Sequence, residues 1–401
     1  MSKPSAQFPR RAPAGNTIDL NFQNTVDQVS SCSSDEAGFD GFNDGVDFLD
    51  FFGAIAPLAT GSSAGIDFSN SSDGSSPSSP GDLFLLSDEG LTPVQWSSGG
   101  GGSTGSTSHA TAAAPAPTLV GSSTGLQFNL IWDSSVASAP AGFQTAAITA
   151  ATLYASYFSN REVINVHVGY GEVDGYSIGA GALAESMSYG YSESYSTVLA
   201  ALKKDASFSS WQATADSSLP AADPTKGGQF FVSTAEAKAL GQVSGTGSAI
   251  DGYIGLSSIY SFSYNQNAIG NQQYDAVGAF EHELTEVMGR MGSLGSIFGR
   301  NVYTPLDLFR YSSSGVRDLT PGPGYFSVNS GSTNLGTYNN PKNGGDAADW
   351  IPTLVGDSYG SGYKGVAAVV SQVDVIEDSV LGYKMTPTAA AFTNTKTPGL
   401  A

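Results

Sequence analysis

The chain is poor in cysteine and in positive charge, and each shortage narrows what it can be. Its 401 residues include one cysteine, Cys32, which excludes an intramolecular disulfide and a zinc site built from cysteines. Only 16 Lys and Arg residues stand against 36 Asp and Glu residues, a formal net charge of −20. Nucleic acids and anionic membrane surfaces are bound by clustered cations, so the composition disfavours both classes of partner.

Long apolar segments are also scarce. The apolar run around residues 48–58 is too short to cross a bilayer. Arg10 and Arg11 are followed by PAGNTIDLNF, where a twin-arginine signal would need an apolar stretch. We therefore expect no membrane insertion. The acidic composition favours a secreted protein exported without a recognisable N-terminal signal peptide, while a cytoplasmic location stays open. Nothing in the sequence indicates the oligomeric state.

Composition divides the chain into four parts. Residues 1–95 are acidic and rich in Ser, Gly and Pro, and such a segment buries too little apolar surface to offset its ordering entropy, which predicts disorder. Residues 96–118 have the composition of a Gly/Ser and Ala-Pro linker. Residues 119–386 are expected to form the folded domain, and residues 387–401 a disordered tail.

The hydrophobic pattern after residue 119 predicts an α/β (α+β) domain with a mixed twisted sheet. Alternating and β-branched segments predict strands over 126–133 and 161–172, and DGYIGLSS at 251–258 predicts an edge strand. Segments with helical spacing predict helices over 141–159, 192–206, 233–241, 274–288 and 371–384. Between the last two lies a long Gly, Asn and Asp-rich stretch, so we expect a loop-rich C-terminal part that ends in a helix.

The helix predicted over 274–288 carries the sequence AFEHELTEVMGR. His282 and Glu286 are four residues apart, so they lie on one helix face and can ligate a common ion. Glu283 occupies the place of the base in the zinc motif HExxH, where it activates metal-bound water. Glu286 stands where that motif has its second histidine. A carboxylate ligand lowers the acidity of the bound water and shifts the preference from zinc toward harder ions such as manganese or calcium.

A solvated helix surface is the competing interpretation of HExxE, but this helix is otherwise apolar and the chain has only three histidines. Asp307, in TPLDLFRY, is the first choice for a third ligand, with a turn or ion-pair role equally open. Asp346 and Asp349, in GGDAADW, are second choices, and the alternatives there are a turn or a calcium site. His167 alternates with valines on a predicted strand, which favours a sheet-face histidine over a ligand.

Arg290 directly follows Gly289, the glycine that ends the motif helix. We expect its guanidinium beside Glu286 or Asp307, where it would orient the ligands. The same pairing without a metal would be a purely structural salt bridge, and this is the strongest rival to a metal site.

Taken together, the motifs resemble those of an uncharacterised bacterial metalloprotease family with an HE(I/L)xEVMGR signature, of metzincin and matrixin-like (zincin) type. The resemblance covers about two thirds of the chain and is carried by the segments FNLIWDSSVASAP, INVHVGYGE, SLPAADP, AEAKALG, HELTEVMGR, YTPLDLFRY, YFSVNSG and GGDAADW. Gly289 matches the helix-ending glycine of the metzincin pattern. Two departures are Glu286 and Gly292, which stand where metzincins have their second and third histidines.

The resemblance implies a zincin-like fold and a zinc-dependent peptidase acting on a protein or peptide substrate. Zinc would be held by His282, Glu286 and Asp307, with Glu283 as general base and calcium as a further structural ion. The acidic arm would be a pro-region, a secretion aid or a substrate-docking tail. A further hypothesis, compatible with peptidase activity, is that the protein cleaves itself and releases this arm at the Gly/Ser linker. The alternative is a non-catalytic secreted binding or surface protein with a structural or calcium-binding HExxE helix.

Overall fold

The structure is a computed structural model in which the described residues belong to one compact unit, Asp47–Ala401. The residues it describes are 83–87, 90–93, 113–204, 209–343 and 345–394. Cys32, most of the expected acidic arm and most of the expected linker lie outside the described residues. No helix in the described part of the chain is long and apolar enough to cross a membrane.

The described part of the chain is mixed α/β, as the sequence predicts. Its strands are β1 (Leu83–Ser87), β2 (Gly90–Pro93), β3 (Thr118–Gly121), β4 (Gln127–Trp132), β5 (Val163–Tyr170), β6 (Glu172–Val173), β7 (Tyr176–Ser177), β8 (Ala184–Ser194), β9 (Gln229–Ser233), β10 (Gly252–Leu256), β11 (Phe262–Ser263), β12 (Tyr274–Asp275), β13 (Val302–Tyr303), β14 (Arg310–Ser313), β15 (Val316–Arg317), β16 (Tyr325–Phe326) and β17 (Gly336–Thr337). Its helices are α1 (Phe143–Tyr157), α2 (Tyr195–Lys204), α3 (Ser210–Ser218), α4 (Thr234–Ala239), α5 (Ala276–Met288), α6 (Gln372–Val380) and α7 (Pro387–Thr393).

The main sheet is mixed and has the strand order β13-β9-β8-β10-β5-β4-β3, with β1 pairing on β8 and β2 on β1. Strands β4, β5 and β10 are parallel, and β8 is antiparallel to β10. The expectation that 251–258 forms an edge strand is wrong, because β10 is bonded on both sides. Its glycines serve close packing: a Cβ at Gly252 would lie 2.8 Å from Val287 of α5.

Helices α1 and α5 pack against each other. Small residues on α1, among them Ala146 and Ala150, are fully buried and let the two helices approach closely. The rings of Phe143 and Phe280 meet edge to face with centroids 5.2 Å apart, a geometry that aromatic pairs prefer. This packing fixes the position of α5, the helix that carries the HExxE motif.

The C-terminal part is loop-rich, with a small antiparallel sheet of β15, β14, β16 and β17, followed by α6 and α7. Ser371 and Asp374 form a capping box at the start of α6. Where the sequence suggested a disordered tail from residue 387, the structure has α7. Thr386 caps this helix, and Phe392 stacks on Tyr157 of α1 with centroids 6.0 Å apart. The side-chain cap and this contact stabilise a segment whose sequence, PTAAAFT, has no amphipathic pattern.

Candidate metal centre

Helix α5 has well-defined ends. Its first turn is capped by Asp275, whose carboxylate accepts from the Val277 amide at 3.0 Å. It ends at Gly289, which has a φ of 115° in the left-handed region. A Cβ at Gly289 would also lie 2.8 Å from Glu236 Oε2, so glycine is required there on two counts. The turn brings the following residue, Arg290, back toward the face of α5 that carries the motif.

Three side chains converge beside α5. His282 Nε2 lies 3.3 Å from Glu286 Oε1 and 3.2 Å from Asp349 Oδ1. One ligand atom from each of the three residues lies within 4.8 Å of the others, so the group can hold a metal ion. Their side chains are 14 to 16% exposed, and solvent therefore reaches the group. Three protein ligands leave a fourth position of a tetrahedral ion open for water or substrate, as in catalytic zinc sites.

The spacing of these atoms is that of metal ligands. Two ligands bonded at about 2.0–2.1 Å to a tetrahedral ion are about 3.4 Å apart, and the two histidine–carboxylate separations are 3.2 and 3.3 Å. A charge-assisted hydrogen bond from a histidinium would be shorter, about 2.7–2.9 Å. The separations therefore fit the ligands of a common ion, and they also lie within the range of direct ion pairs.

The other nitrogen of His282 fixes the ring. Nδ1 lies 2.9 Å from the Ser358 carbonyl oxygen, which can only accept, so Nδ1 carries the hydrogen. In the neutral imidazole the Nε2 lone pair then faces two carboxylate oxygens. Three electron-rich atoms around one point require positive charge, which can come from the Arg290 guanidinium beside the two carboxylate oxygens, from a proton on Nε2 or from a metal ion. Metal-ligating histidines commonly make such an outer hydrogen bond to a carbonyl.

The pKa values of His282 and Glu286 are both shifted toward the charged form by their neighbours. Burial lowers the pKa of His282, but the Asp349 carboxylate more than offsets this and leaves that pKa well above its usual value. Burial raises the pKa of Glu286, but its hydrogen bond with His282 and the charges of His282 and Arg290 lower it to about 2. Glu286 is therefore ionised in the arrangement in which His282 carries a second proton and pairs with it.

Arg290 is fully buried behind the ligand group. Its Nη2 lies 3.3 Å from Glu286 Oε1, and its Nη1 lies 3.1 Å from Asp349 Oδ1. Nε donates to Thr285 Oγ1 at 2.9 Å, and the guanidinium lies 4.4 Å from the centre of the Tyr359 ring. Of its two expected partners, the structure brings Glu286 to Arg290, and Asp349 takes the place expected for Asp307.

Glu283 is buried next to the ligand group. Burial raises the pKa of its carboxyl, and the negative charge of Glu286 raises it further, while His282 acts in the opposite direction. The resulting pKa lies well above the usual value for glutamate. Its place beside the ligand group makes Glu283 the candidate for a general base, which has to be ionised before it can accept a proton.

Asp307 lies elsewhere and has a structural role. Its Oδ2 accepts from the amides of Leu294 at 2.9 Å, Thr304 at 3.0 Å and Ser293 at 3.2 Å. These bonds close the loop before β13 and start the 3₁₀ turn Pro305–Phe309. Burial raises the pKa of Asp307 to about 6 despite them. The structure does not bring Asp307 into the ligand group.

Gly292 helps to bring Asp349, rather than Asp307, to the ligand group. A Cβ at Gly292 would lie 2.9 Å from Ala347 Cβ and 3.3 Å from the amide nitrogen of Ala348. The missing side chain therefore lets the segment that carries Asp349 pack against the chain just after α5. The position at which the metzincin pattern has a histidine is here a contact for the loop that supplies a carboxylate.

Two serines contact the site that no sequence motif had indicated as site residues. Ser186 of β8 donates to Glu286 Oε2 at 2.6 Å and so holds the second oxygen of that ligand. Ser358, whose carbonyl orients His282, donates through Oγ to Glu281 Oε2 at 2.5 Å. His167, by contrast, lies on β5, partly exposed on the sheet, 4.0 Å from Asp133 Oδ2.

A group of buried acids lies near the centre. Its members are Glu281, Asp357, Asp374, Glu377 and Asp378, all under 10% exposed. Hydrogen bonds from aromatic side chains reach three of them: Trp350 donates to Asp374, Tyr338 to Glu377 and Tyr359 to Asp378. Burial raises the pKa of each acid, to about 8 for Glu281, Asp357 and Asp378.

These acids predict that the fold loses stability as the pH rises. A carboxyl with a raised folded pKa binds more protons folded than unfolded, so the free energy of unfolding falls from its unfolded pKa, near 4, up to its folded pKa, near 8. One such group changes it by about 1.4 kcal/mol per pH unit. We expect a lower melting temperature at pH 8 than at pH 5.5. Asp378→Asn, which keeps the acceptor for Tyr359, should flatten the dependence, and an equally steep profile in that variant would contradict the assignment.

Comparisons with known proteins return no match. No protein-family model matches the chain, and neither a curated protein nor a solved structure matches it. The metalloprotease resemblance and the zincin-like fold therefore stay predictions. Any function has to be inferred from the geometry of the ligand group and from the residues packed around it.

Proposed function

We propose that this chain is a metal-dependent peptidase with a zincin-like fold, in which His282, Glu286 and Asp349 hold a zinc ion and Glu283 is the general base. The observation that carries the proposal is the convergence of one imidazole nitrogen and two carboxylate oxygens at 3.2 and 3.3 Å around a histidine of fixed tautomer. The placement of this group on a helix packed under a mixed sheet, followed by a loop-rich part, agrees with the zincin-like expectation.

In the proposed reaction, different residues activate the water and hold the ligands in place. Bound zinc would supply a Lewis acid that polarises a peptide carbonyl and acidifies water. In its ionised form Glu283 would accept the proton of the attacking water and pass it to the departing amine. Ser186 and Arg290 hold Glu286 in place, and the Ser358 carbonyl holds His282.

Arg290 also adjusts the charge of the site. Two carboxylate ligands neutralise a divalent ion more than two histidines would, which weakens it as a Lewis acid. The guanidinium of Arg290 bonds one oxygen of each carboxylate and returns one positive charge to the site. With Arg290 included, the net charge of the protein groups is therefore closer to that of a histidine-rich site than the two carboxylate ligands alone would give.

A second candidate is a non-catalytic binding protein in which the same residues form a metal-free polar network. It is favoured by one observation: Arg290 is already paired with both carboxylates. In that case His282 carries the proton that its raised pKa favours, and the network is structural. Calcium would have little affinity for it, because calcium takes six to eight oxygen ligands.

The metal content of the purified full chain tests the proposal. We expect about one zinc per chain by elemental analysis, and its loss in Glu286→Ala and in Asp349→Ala. Asp307→Ala is the matched control: it removes a buried carboxylate that lies outside the ligand group, so it should lower the melting temperature and keep the metal. Wild-type chain without a transition metal would favour the polar network, and metal lost only in Asp307→Ala would return Asp307 to the ligand set.

A further inference from the structure

Lys238, near the end of α4, is buried together with an acid. Its side chain is 4% exposed, and a lysine is almost never buried this deeply unless it is paired. Nζ lies 2.5 Å from Asp251 Oδ2 and donates to the Val163 carbonyl oxygen at 2.8 Å. Asp251 comes directly before β10, and its side chain is 1% exposed. An amine and a carboxyl group are therefore enclosed side by side, out of reach of solvent.

The carboxyl group of Asp251 is held in one orientation. Oδ1 accepts from Thr234 Oγ1 at 2.8 Å, and Oδ2 accepts from the Asn165 amide at 2.8 Å. Because a carboxyl carbon lies about 1.2–1.3 Å from its oxygens, Lys238 Nζ is at most about 3.8 Å from Asp251 Cγ. Reacting atoms in a near-attack arrangement are about 3–3.5 Å apart. The nitrogen and the carbon are therefore held close to the separation at which an amine attacks a carboxyl group.

A second carboxyl group, that of Glu162, is buried near this pair. Glu162 comes directly before Val163, whose carbonyl bonds Lys238. It is 3% exposed, and its Oε1 has no hydrogen-bond partner among the described residues. Burial raises the pKa of Glu162 well above its usual value, while the charge of Lys238 lowers this pKa and that of Asp251 raises it. Glu162 is therefore a protonated acid at neutral pH, within electrostatic reach of both groups.

We propose that Lys238 and Asp251 are a modification site, at which the chain joins itself through an amide bond between Lys238 Nζ and Asp251 Cγ, with Glu162 as the group that moves the protons. The alternative is a buried salt bridge between Lys238 and Asp251. A salt bridge keeps two charges out of water at a cost that their attraction offsets only in part, whereas the amide is uncharged. The inference concerns residues outside the metal centre and does not depend on the proposed peptidase function.

The condensation balances without any other reactant. A proton passes from Nζ to the carboxyl group within the hydrogen bond that the pair shares, which leaves a neutral amine and a carboxylic acid. The amine attacks Cγ, the nitrogen–carbon bond forms, and one carboxyl oxygen leaves as water while the other stays as the amide carbonyl. Glu162 donates a proton to the departing oxygen and takes one from the attacking nitrogen. Each Asp251 oxygen has a donor, Thr234 or Asn165, so the oxygen that stays is stabilised while its charge develops.

The bond would close the segment between α4 and β10 into a covalent ring. This segment, residues 240–250, has the sequence LGQVSGTGSAI, and Ser244, Thr246 and Ser248 within it are exposed. Exposed loops of small and polar residues are preferred sites of proteolytic nicking. A cut inside the ring would leave its two ends joined through Lys238 and Asp251, so the bond would protect the connection between α4 and the main sheet.

Tryptic digestion of the denatured full chain, followed by mass spectrometry, tests for the bond. Trypsin does not cleave after an acylated lysine, and Lys238 is the only Lys or Arg between Lys226 and Arg290. We expect residues 227–290 as one peptide, lighter than its sequence requires by one water, about 18 Da. Separate peptides 227–238 and 239–290 at full mass would overturn the inference. Only the wild-type chain is needed for this result, so it is decisive even if a variant fails to fold.

Lys238→Arg is the matched control. Arginine keeps the positive charge, but its guanidinium is not deprotonated in proteins and so does not attack a carboxyl group. The variant should give peptides 227–238 and 239–290 at full mass. It also covers another source of a lost water, because Asp251 precedes Gly252 and can close on the backbone as a succinimide. Water missing from peptide 239–290 in both proteins would identify the succinimide and overturn the inference.

Glu162→Gln tests the transfer of protons. Glutamine has the size of glutamate and does not exchange a proton in this way, so we expect the linked fraction of the chain to fall at least about tenfold. The linked fraction is the amount of peptide 227–290 relative to the two separate peptides, measured at a fixed time after synthesis. A variant linked as completely and as fast as wild type would contradict the role that the proposal gives to Glu162.

Discussion

Glu283→Gln is expected to lower kcat/KM for peptide hydrolysis by about 10²–10⁴-fold while the chain keeps about one zinc. Glutamine has the size of glutamate and cannot accept the proton of the attacking water. His282, Glu286 and Asp349 keep their positions, because none of the distances that define the ligand group involves Glu283. The substitution also removes a carboxyl whose pKa is raised by burial and, further, by repulsion from Glu286, so the folded state should be at least as stable.

Zinc content and turnover should be measured on the same samples, with thermal melting as a check of the fold. Glu281→Gln is the matched control: it alters a neighbouring buried glutamate on the same helix that bonds Ser358. That variant should retain most of its turnover. Unchanged turnover in Glu283→Gln would refute its role as general base, whereas parallel loss of zinc would show that Glu283 belongs to the ligand set.

The part of the site that lies on one helix could be predicted from the sequence. His282 and Glu286 share a face because helical periodicity is a local property, and Gly289 ends the helix through its own backbone preference. Arg290 follows from the same turn. These positions depend on fewer than ten consecutive residues, so the sequence is sufficient to place them relative to one another.

The third ligand could not be selected from the sequence. Asp349 reaches the site through packing of its loop on Gly292, a contact between segments far apart in the chain. Asp307 is nearer in sequence, but the Thr-x-x-Asp spacing in TPLD is also that of a capping box, and the Thr304 amide does bond Asp307. The capping-box spacing is visible in the sequence, and it favours a structural role for Asp307.

The sheet was predicted less completely than the helices. Strand β8 has the sequence AESMSYGYSES, which lacks the apolar alternation of β4, so its pattern does not predict a strand. DGYIGLSS was expected to form an edge strand, but β10 pairs with a strand on each side. Gly252 permits α5 to pack directly on β10, and such packing is a long-range property that composition does not reveal.

Arg290→Met is expected to make the stability of the fold depend on zinc. Without metal, the variant leaves Glu286 and Asp349 facing each other without the guanidinium that bonds both. Breaking a buried ion pair in this way costs about 3–5 kcal/mol, which corresponds to a fall of about 10 °C in melting temperature for a domain of this size. Zinc supplies the missing positive charge, so its addition should restore most of the loss, and its affinity should exceed that of wild type.

Arg310→Met separates this effect from simple loss of packing. Arg310 is also buried, but its guanidinium donates to the carbonyls of Ala347, Gly322 and Asn339 and to none of the ligands. Both variants should melt lower than wild type in a chelator, and only Arg290→Met should recover with zinc. No recovery in either variant would mean that the carboxylates of the centre are held by Arg290 and a protonated His282 alone, whereas equal recovery in both would mean that zinc stabilises the fold independently of Arg290. Without a zinc response the motif would be explained as a metal-free structural network. The reason is that a zinc site should bind the ion more tightly once the competing positive charge of Arg290 is removed.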